Sequence, residues 1–132
     1  MSDSKSKARP LSPHLQIYRP MLSMTMSIMH RITGVALALG MLGLVWWFSA
    51  AATNDAYFAL VQGFFYHWFG RLVLFGISWA LLHHMLGGFR HFIWDTGHGF
   101  GLKHVEWLVR LNLVGSVVLT VLIWMIAYGV RA

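Results

Sequence analysis

The chain has 132 residues, of which 58% are hydrophobic and 11% charged, whereas a soluble domain carries roughly a quarter charged residues, so the composition excludes a soluble globular protein. Without cysteine, the chain can form neither a disulfide nor an iron–sulfur cluster of its own, and its polar segments are too short to bury a catalytic core. The net charge of +6 does not indicate nucleic-acid binding, because the basic residues flank the apolar runs, as topology signals do.

The hydropathy pattern predicts one all-α transmembrane domain over residues 1–132. A basic arm at 1–20 precedes three predicted membrane helices at about 22–52, 64–93 and 108–130, each with an apolar core long enough to cross a bilayer. Lys and Arg cluster before the first helix and between the second and third, which predicts a cytoplasmic N-terminus. The arm is neither a secretory signal nor transit-like, so we expect a multi-pass protein of a bacterial inner membrane rather than a mitochondrial one.

The first polar motif occupies residues 27–34, at the start of the first helix. Ser27 and Arg31 are four residues apart and share one helix face, and Gly34 keeps the space beside that face open. A hydroxyl and a guanidinium at the membrane boundary both donate hydrogen bonds, which suits a quinone carbonyl or the propionates of a haem. The alternative is that Arg31 only anchors the helix at the interface.

The second motif lies in the second helix, where His84, Gly88 and His91 form one stripe at positions i, i+4 and i+7. A histidine inside a membrane helix needs a partner, and imidazole is a common axial ligand of haem iron. We therefore predict that His84 binds haem, with Gly88 leaving room for the macrocycle. His83 is the competing ligand. The two side chains point about 100° apart on the helix, so only one of them can face a given site, and the stripe with Gly88 and His91 favours His84. A plain packing role for the histidine is the other alternative.

Antiparallel packing of the first two helices places Ser27, His30, Arg31, His84 and His91 in the same membrane leaflet. A six-coordinate haem needs two axial ligands, but the third helix contains no histidine, and His30 near the boundary suits the propionates better than the iron. The count predicts that another membrane subunit supplies the second ligand. The competing function is a non-catalytic membrane anchor or transporter component whose intramembrane His and Arg handle protons.

The sequence resembles the cytochrome b556 family, whose members are the larger membrane anchors of succinate dehydrogenase, the enzyme also called respiratory complex II. The resemblance is carried by residues 9–15, Tyr18, 27–34 and 84–95. The resemblance covers essentially the whole chain. It implies a subunit that helps to transfer electrons from succinate to ubiquinone. It also implies three partner subunits, namely a smaller membrane anchor, an iron–sulfur subunit and a flavoprotein subunit. Together they form the enzyme at the lipid bilayer, and no nucleic-acid partner is implied.

For the cofactor, the resemblance implies one haem b that is shared with the smaller anchor subunit. His84 matches the axial ligand of the haem iron in that family. His30 and Arg31 match residues that approach the haem propionates, and His91 matches a position in the same propionate region.

For the quinone, the resemblance implies that Ser27 and Arg31 belong to the ubiquinone-reduction site, next to the iron–sulfur subunit. Asp95 matches an acidic residue near the quinone pocket. All three residues are predicted to face the cytoplasmic side, where the soluble partners dock.

Overall fold

A computed structural model describes residues 18–130, so the motif at 9–15, the lysines of the basic arm and Arg131 lie outside the described residues. Within that range the chain is helical, without strands, and three of its helices are long and apolar enough to cross a membrane. The predicted all-α class with three membrane helices is confirmed. The helices are α1 (Leu22–Thr53), α2 (Asp55–Tyr66), α3 (Trp68–Asp95) and α4 (Leu102–Gly129).

The second predicted helix, at about 64–93, is divided in the structure, because the chain turns a sharp corner between α2 and α3. Asn54 caps α2 by accepting a hydrogen bond of 2.8 Å from the backbone N–H of Tyr57. His67 takes an extended conformation and ends the helix, and its ring nitrogen accepts from the N–H of Phe69 at 3.4 Å. Gly70 is required at this corner, because a Cβ atom there would overlap the carbonyl oxygen of Phe64.

The connection between α3 and α4 is a glycine turn. Gly97 and Gly99 have φ angles of +79° and +81°, a left-handed conformation that side-chain-bearing residues rarely adopt. α4 begins at Leu102, earlier than the predicted 108, because its polar first turns continue the helix beyond the apolar core. On these turns Arg110 and Glu106 form an exposed ion pair at 3.6 Å.

Helix α3 packs between α1 and α4 and runs antiparallel to both. Gly34 of α1 adjoins His84 whereas Gly40 adjoins Ile77, and Asn112 of α4 adjoins Gly87 whereas Trp124 bonds to Ser78. Half of the buried side chains described at these contacts are polar, whereas the exposed surface is mainly apolar. This is expected in a membrane, because lipid tails are as apolar as leucine and burying leucine between helices gains little. We call the end formed by the start of α1, the end of α3 and the start of α4 the histidine end. The buried polar side chains are Thr33, His83, Arg90, Asn112, Ser116 and Thr120.

Candidate functional site

The centre of the candidate site is a contact between two histidines on neighbouring helices. His30 of α1 and His84 of α3 stack with ring centroids 3.9 Å apart and planes inclined by 19°. The Nδ1 atom of His84 lies 3.0 Å from the carbonyl oxygen of His30. In return, the Nε2 atom of His30 lies 3.2 Å from the carbonyl oxygen of His84. The two residues therefore form a reciprocal pair that ties α1 to α3.

The reciprocal pair fixes which ring nitrogens carry protons. A carbonyl oxygen only accepts hydrogen bonds, so Nδ1 of His84 and Nε2 of His30 must be the donors. The hydroxyl of Thr33 lies 3.3 Å from the same Nδ1 atom and supports this orientation. A neutral His84 then keeps its lone pair on Nε2, which has no hydrogen-bond partner among residues 18–130. That is the tautomer required of an imidazole that binds a metal through Nε2.

Two glycines make room for these rings. A Cβ atom at Gly34 would lie 3.2 Å from the Cε1 atom of His84, and a Cβ atom at Gly87 would overlap the ring of His30. The same Cβ at Gly87 would also lie 3.5 Å from Nδ2 of Asn112, so α1, α3 and α4 all meet at this residue. Gly88, by contrast, has open space within 4 Å of the position of its missing Cβ.

His91 extends the histidine cluster towards the histidine end. Its ring meets that of His30 edge-on at 5.5 Å and that of Trp94 at 5.4 Å, and its side chain is exposed. The structure therefore brings His30, His84 and His91 together. No group of three or more His, Cys, Asp or Glu side chains in the described part of the chain is arranged to hold a metal ion by itself.

Ser27, Arg31 and Asp95 lie at the exposed edge of this cluster. Ser27 and Arg31 are about 40° apart on α1, beside the face that carries His30. All three side chains are exposed, and none makes a side-chain hydrogen bond or an ion pair within residues 18–130. Their donors and acceptors are therefore available to a ligand or a partner subunit.

His83 and His84 point into different helix contacts. His83 is fully buried against α4, where its Nδ1 atom lies 3.3 Å from the hydroxyl oxygen of Ser116. Its ring packs at 5.1 Å against that of Trp79, and its Nε2 atom is buried without a partner. His83 is thus enclosed in the α3–α4 contact, away from the His30 ring and the residues at the exposed edge of α1.

Sequence patterns missed three polar residues near this site. Arg90 reads as a topology signal, yet in the structure it is 4% exposed and lies 5.1 Å over the ring of Trp94. Asn112 of α4 is also 4% exposed, and Thr33 is 2% exposed beside His84. The signal for Asn112 was present, because an amide within an apolar span has to face the protein interior. Thr33 lies inside the motif at 27–34, but nothing in its spacing assigned it a role of its own.

A further cavity lies outside this cluster. A groove of about 940 Å³ opens between the four helices away from the histidine end, and its lining includes Gly40, Trp46, Phe65 and Ile77. None of the candidate site residues lines it. The candidate site is therefore a cluster at a helix contact, open on its α1 edge.

Comparison with known proteins places the chain in a family. Residues 5–127 match the family described as "Succinate dehydrogenase/Fumarate reductase transmembrane subunit". A Paracoccus denitrificans protein named "Succinate dehydrogenase cytochrome b556 subunit" is 43% identical over 122 residues, covering 92% of this chain and 94% of that protein. A Rickettsia conorii protein of the same name is 42% identical over 116 residues, covering 88% of this chain and 90% of that protein. A Marchantia polymorpha protein, "Succinate dehydrogenase cytochrome b560 subunit", is 38% identical over 102 residues, with 74% of each chain covered.

These matches confirm the resemblance drawn from the sequence motifs. The bacterial relatives and the three apolar helices together identify a multi-pass protein of a bacterial inner membrane. The chain belongs to the family of succinate dehydrogenase and fumarate reductase transmembrane subunits.

Proposed function

We propose that this chain is the membrane-anchor cytochrome b subunit of a succinate dehydrogenase, and that it helps to transfer electrons from succinate to ubiquinone. The observation that carries the proposal is the reciprocal His30–His84 pair, which leaves one imidazole lone pair available inside a membrane helix. The names of the relatives, which combine succinate dehydrogenase with a cytochrome b, support the same function.

In this proposal His84 is an axial ligand of haem b. Metal-binding histidines usually donate their second ring N–H to a carbonyl or a carboxylate, and Nδ1 of His84 does so to His30. The open space beside Gly88, four residues further along α3, supports the approach of a flat macrocycle. The residues present therefore fit the group. A bound haem b would supply a one-electron acceptor in a site of low dielectric constant.

The second axial ligand would come from another subunit, the smaller membrane anchor. His83 is enclosed in the α3–α4 contact, and the Nε2 atom of His30 is already engaged with the carbonyl of His84. The surface of α1 offers room for partner helices, since only 6% of the residues in its apolar membrane-spanning stretch are buried within this chain. A helix from a second anchor subunit packed there would bury that apolar surface.

Arg31 and His91 are the side chains proposed to hold the haem propionates. Both are exposed and adjoin the His30–His84 pair, and an arginine can donate two parallel hydrogen bonds to a carboxylate. His30 belongs to the same region. Because its Nε2–H is engaged with the carbonyl of His84, His30 must gain a proton on Nδ1 before it can donate to a propionate.

Ser27, Arg31 and Asp95 are proposed to form this chain's part of the ubiquinone-reduction site. The Ser27 hydroxyl would donate to one quinone carbonyl, and Arg31 would stabilise the negative charge that develops as electrons arrive. Asp95 lies at the end of α3 and is exposed, so it can exchange protons with water near the quinone. Their freedom from internal hydrogen bonds supports this role.

The proposal also sets the orientation of the chain. Arg31, Lys103 and Arg110 lie towards the histidine end, whereas Arg71 lies towards the opposite end of the bundle. The excess of cations supports a cytoplasmic histidine end. The iron–sulfur and flavoprotein subunits would dock on that side, beside Ser27 and Arg31.

An absorbance spectrum of the assembled complex tests the proposed function. The chain is expressed with its neighbouring subunits, purified as a complex, and measured in the reduced and oxidised states. We expect haem b bands with a content of about one haem per copy of this chain, as a single-ligand contribution implies. A colourless complex that still oxidises succinate with an artificial acceptor would contradict the proposal and favour a plain anchor.

A further inference from the structure

Arg90 is a buried cation without a counterion. The residue is 4% exposed, and its Nε and Nη1 atoms are buried and have no hydrogen-bond partner within residues 18–130. The ring of Trp94 covers the guanidinium at 5.1 Å but accepts no conventional hydrogen bond. Asn112, across the α3–α4 contact, is buried to the same extent, and both polar atoms of its amide are unpartnered.

The carboxylates described in this chain cannot neutralise Arg90. The one ion pair in residues 18–130 joins Arg110 to Glu106. Asp95 is exposed and makes no ion pair, and Asp55 begins α2 at the opposite end of the bundle. A buried charge left without a partner is strongly destabilising, so the compensating anion has to come from outside the described chain.

A small cavity adjoins both unpartnered side chains. Its volume is about 160 Å³, and Arg90 and Asn112 form its polar wall. The rest of its lining is apolar and consists of Leu86, Phe89, Ile93, Leu108 and Leu111. The cavity therefore combines one positive charge and an amide with a surface suited to hydrocarbon.

We propose that this cavity binds the phosphate of an anionic phospholipid, with Arg90 and Asn112 as the headgroup ligands and the apolar wall against the acyl chains. Arg90 lies about one and a half turns before the end of α3, roughly 7.5 Å, which is near the depth of lipid phosphates at a membrane boundary. Lys103, at the start of α4, is a further cation at this end of the bundle and adds attraction for anionic headgroups. A lipid with a net negative charge is favoured, because the positive charge of Arg90 has no counterion within residues 18–130.

A carboxylate from a partner subunit is the alternative counterion of Arg90, and the second experiment below separates it from a lipid. The lipid site also lies on the face of α3 that meets α4, about 120° from His84, which faces α1. It therefore does not rest on the proposed haem or quinone functions. Either proposal can fail while the other holds.

The first experiment measures lipid retention. The assembled complex is purified in detergent as wild type, Arg90→Gln and Arg110→Gln, and bound phospholipid is identified by native mass spectrometry and phosphorus content. We expect the wild type and Arg110→Gln to retain one tightly held anionic phospholipid, and Arg90→Gln to retain about tenfold less, the usual loss for a charge-assisted contact. Arg110→Gln is the matched control, because it removes an exposed, ion-paired cation at the same end. Equal retention in all three proteins overturns the proposal.

The second experiment keeps the proposal falsifiable if Arg90→Gln does not assemble. Delipidated wild-type complex is titrated with phosphatidylglycerol, phosphatidylcholine or inorganic phosphate, and its thermal stability is recorded. We expect phosphatidylglycerol to raise Tm more than phosphatidylcholine does, and inorganic phosphate to leave it unchanged. An equal rise with inorganic phosphate overturns the lipid assignment. No preference for phosphatidylglycerol overturns the recognition of charge and points to a partner carboxylate as the counterion.

Discussion

His30 and His84 each donate a side-chain hydrogen bond to the backbone carbonyl of the other, across the contact between α1 and α3. The pair fixes the register of the two helices and the tautomer of His84 at the same time. Because Ser27 and Arg31 flank His30 on α1, the proposed axial ligand and the proposed quinone residues are held by one contact. Movement of α1 would therefore affect both functions together.

The first prediction concerns the glycine on which His30 packs. Gly87→Ala should displace the His30 ring, because the added Cβ would overlap it, and overpacking of this kind costs roughly 1–3 kcal/mol. We expect a lower Tm and several-fold less haem per purified complex. Gly76→Ala is the matched control, since the same substitution on the same helix meets nothing within 4 Å. Equal haem content in the two variants would mean that the pair does not position the cofactor.

The second prediction concerns the hydroxyl of Thr33. It lies 3.3 Å from Nδ1 of His84 and bonds to the carbonyl of His30 at 2.9 Å, so it supports the orientation of the proposed ligand through its neighbours. Thr33→Val should lower haem affinity by about tenfold or less and shift the haem midpoint potential, since groups behind a ligand tune the metal. Thr33→Ser keeps the hydroxyl and should restore both values. An identical haem midpoint potential in the wild type and both variants would show that Thr33 does not influence the proposed ligand.

The third prediction concerns Arg31. Arg31→Ala should lower ubiquinone reduction by roughly tenfold or more, because a positioned cation is lost where negative charge develops. Succinate oxidation with an artificial acceptor should change little, since this reaction bypasses the quinone. Arg110→Ala, which removes an exposed cation at the same end, should leave both rates near the wild-type values. An equal fall of both rates in Arg31→Ala would indicate failed assembly instead of a quinone role.

The sequence predicted the membrane helices well because hydropathy and length are properties of continuous segments. The corner at His67 was not predicted, because apolar residues continue through it and the turn depends on a cap and on Gly70. The helix α2 was also missed, because the predicted membrane helices leave residues 53–62 as the connection between the first two of them. In the structure Asn54 caps that helix, a local interaction that hydropathy does not weigh.

Within the candidate site, antiparallel packing of the first two membrane helices predicted His30, His84 and His91 in one leaflet, and the structure brings their rings together. Spacing could not show which glycine contacts a ring, because that depends on how closely the helices approach. The stripe pointed to Gly88, whereas Gly87 is the residue against which His30 packs. The burial of Arg90 was missed for a related reason, since rules for flanking cations count positions along the chain and ignore the helix face.

The most direct test of the account is the reduced-minus-oxidised absorbance spectrum of the assembled complex carrying either His84→Leu or His83→Leu. The two variants make the same substitution at neighbouring positions, but only His84 lies in the reciprocal pair with His30. His83 is enclosed against Ser116 with an unpartnered nitrogen, so a leucine there should be tolerated. We predict that His84→Leu abolishes or shifts the haem b bands while His83→Leu keeps them. Equal loss of the bands in both variants, or full retention in His84→Leu, would contradict the assignment of His84 as the haem ligand.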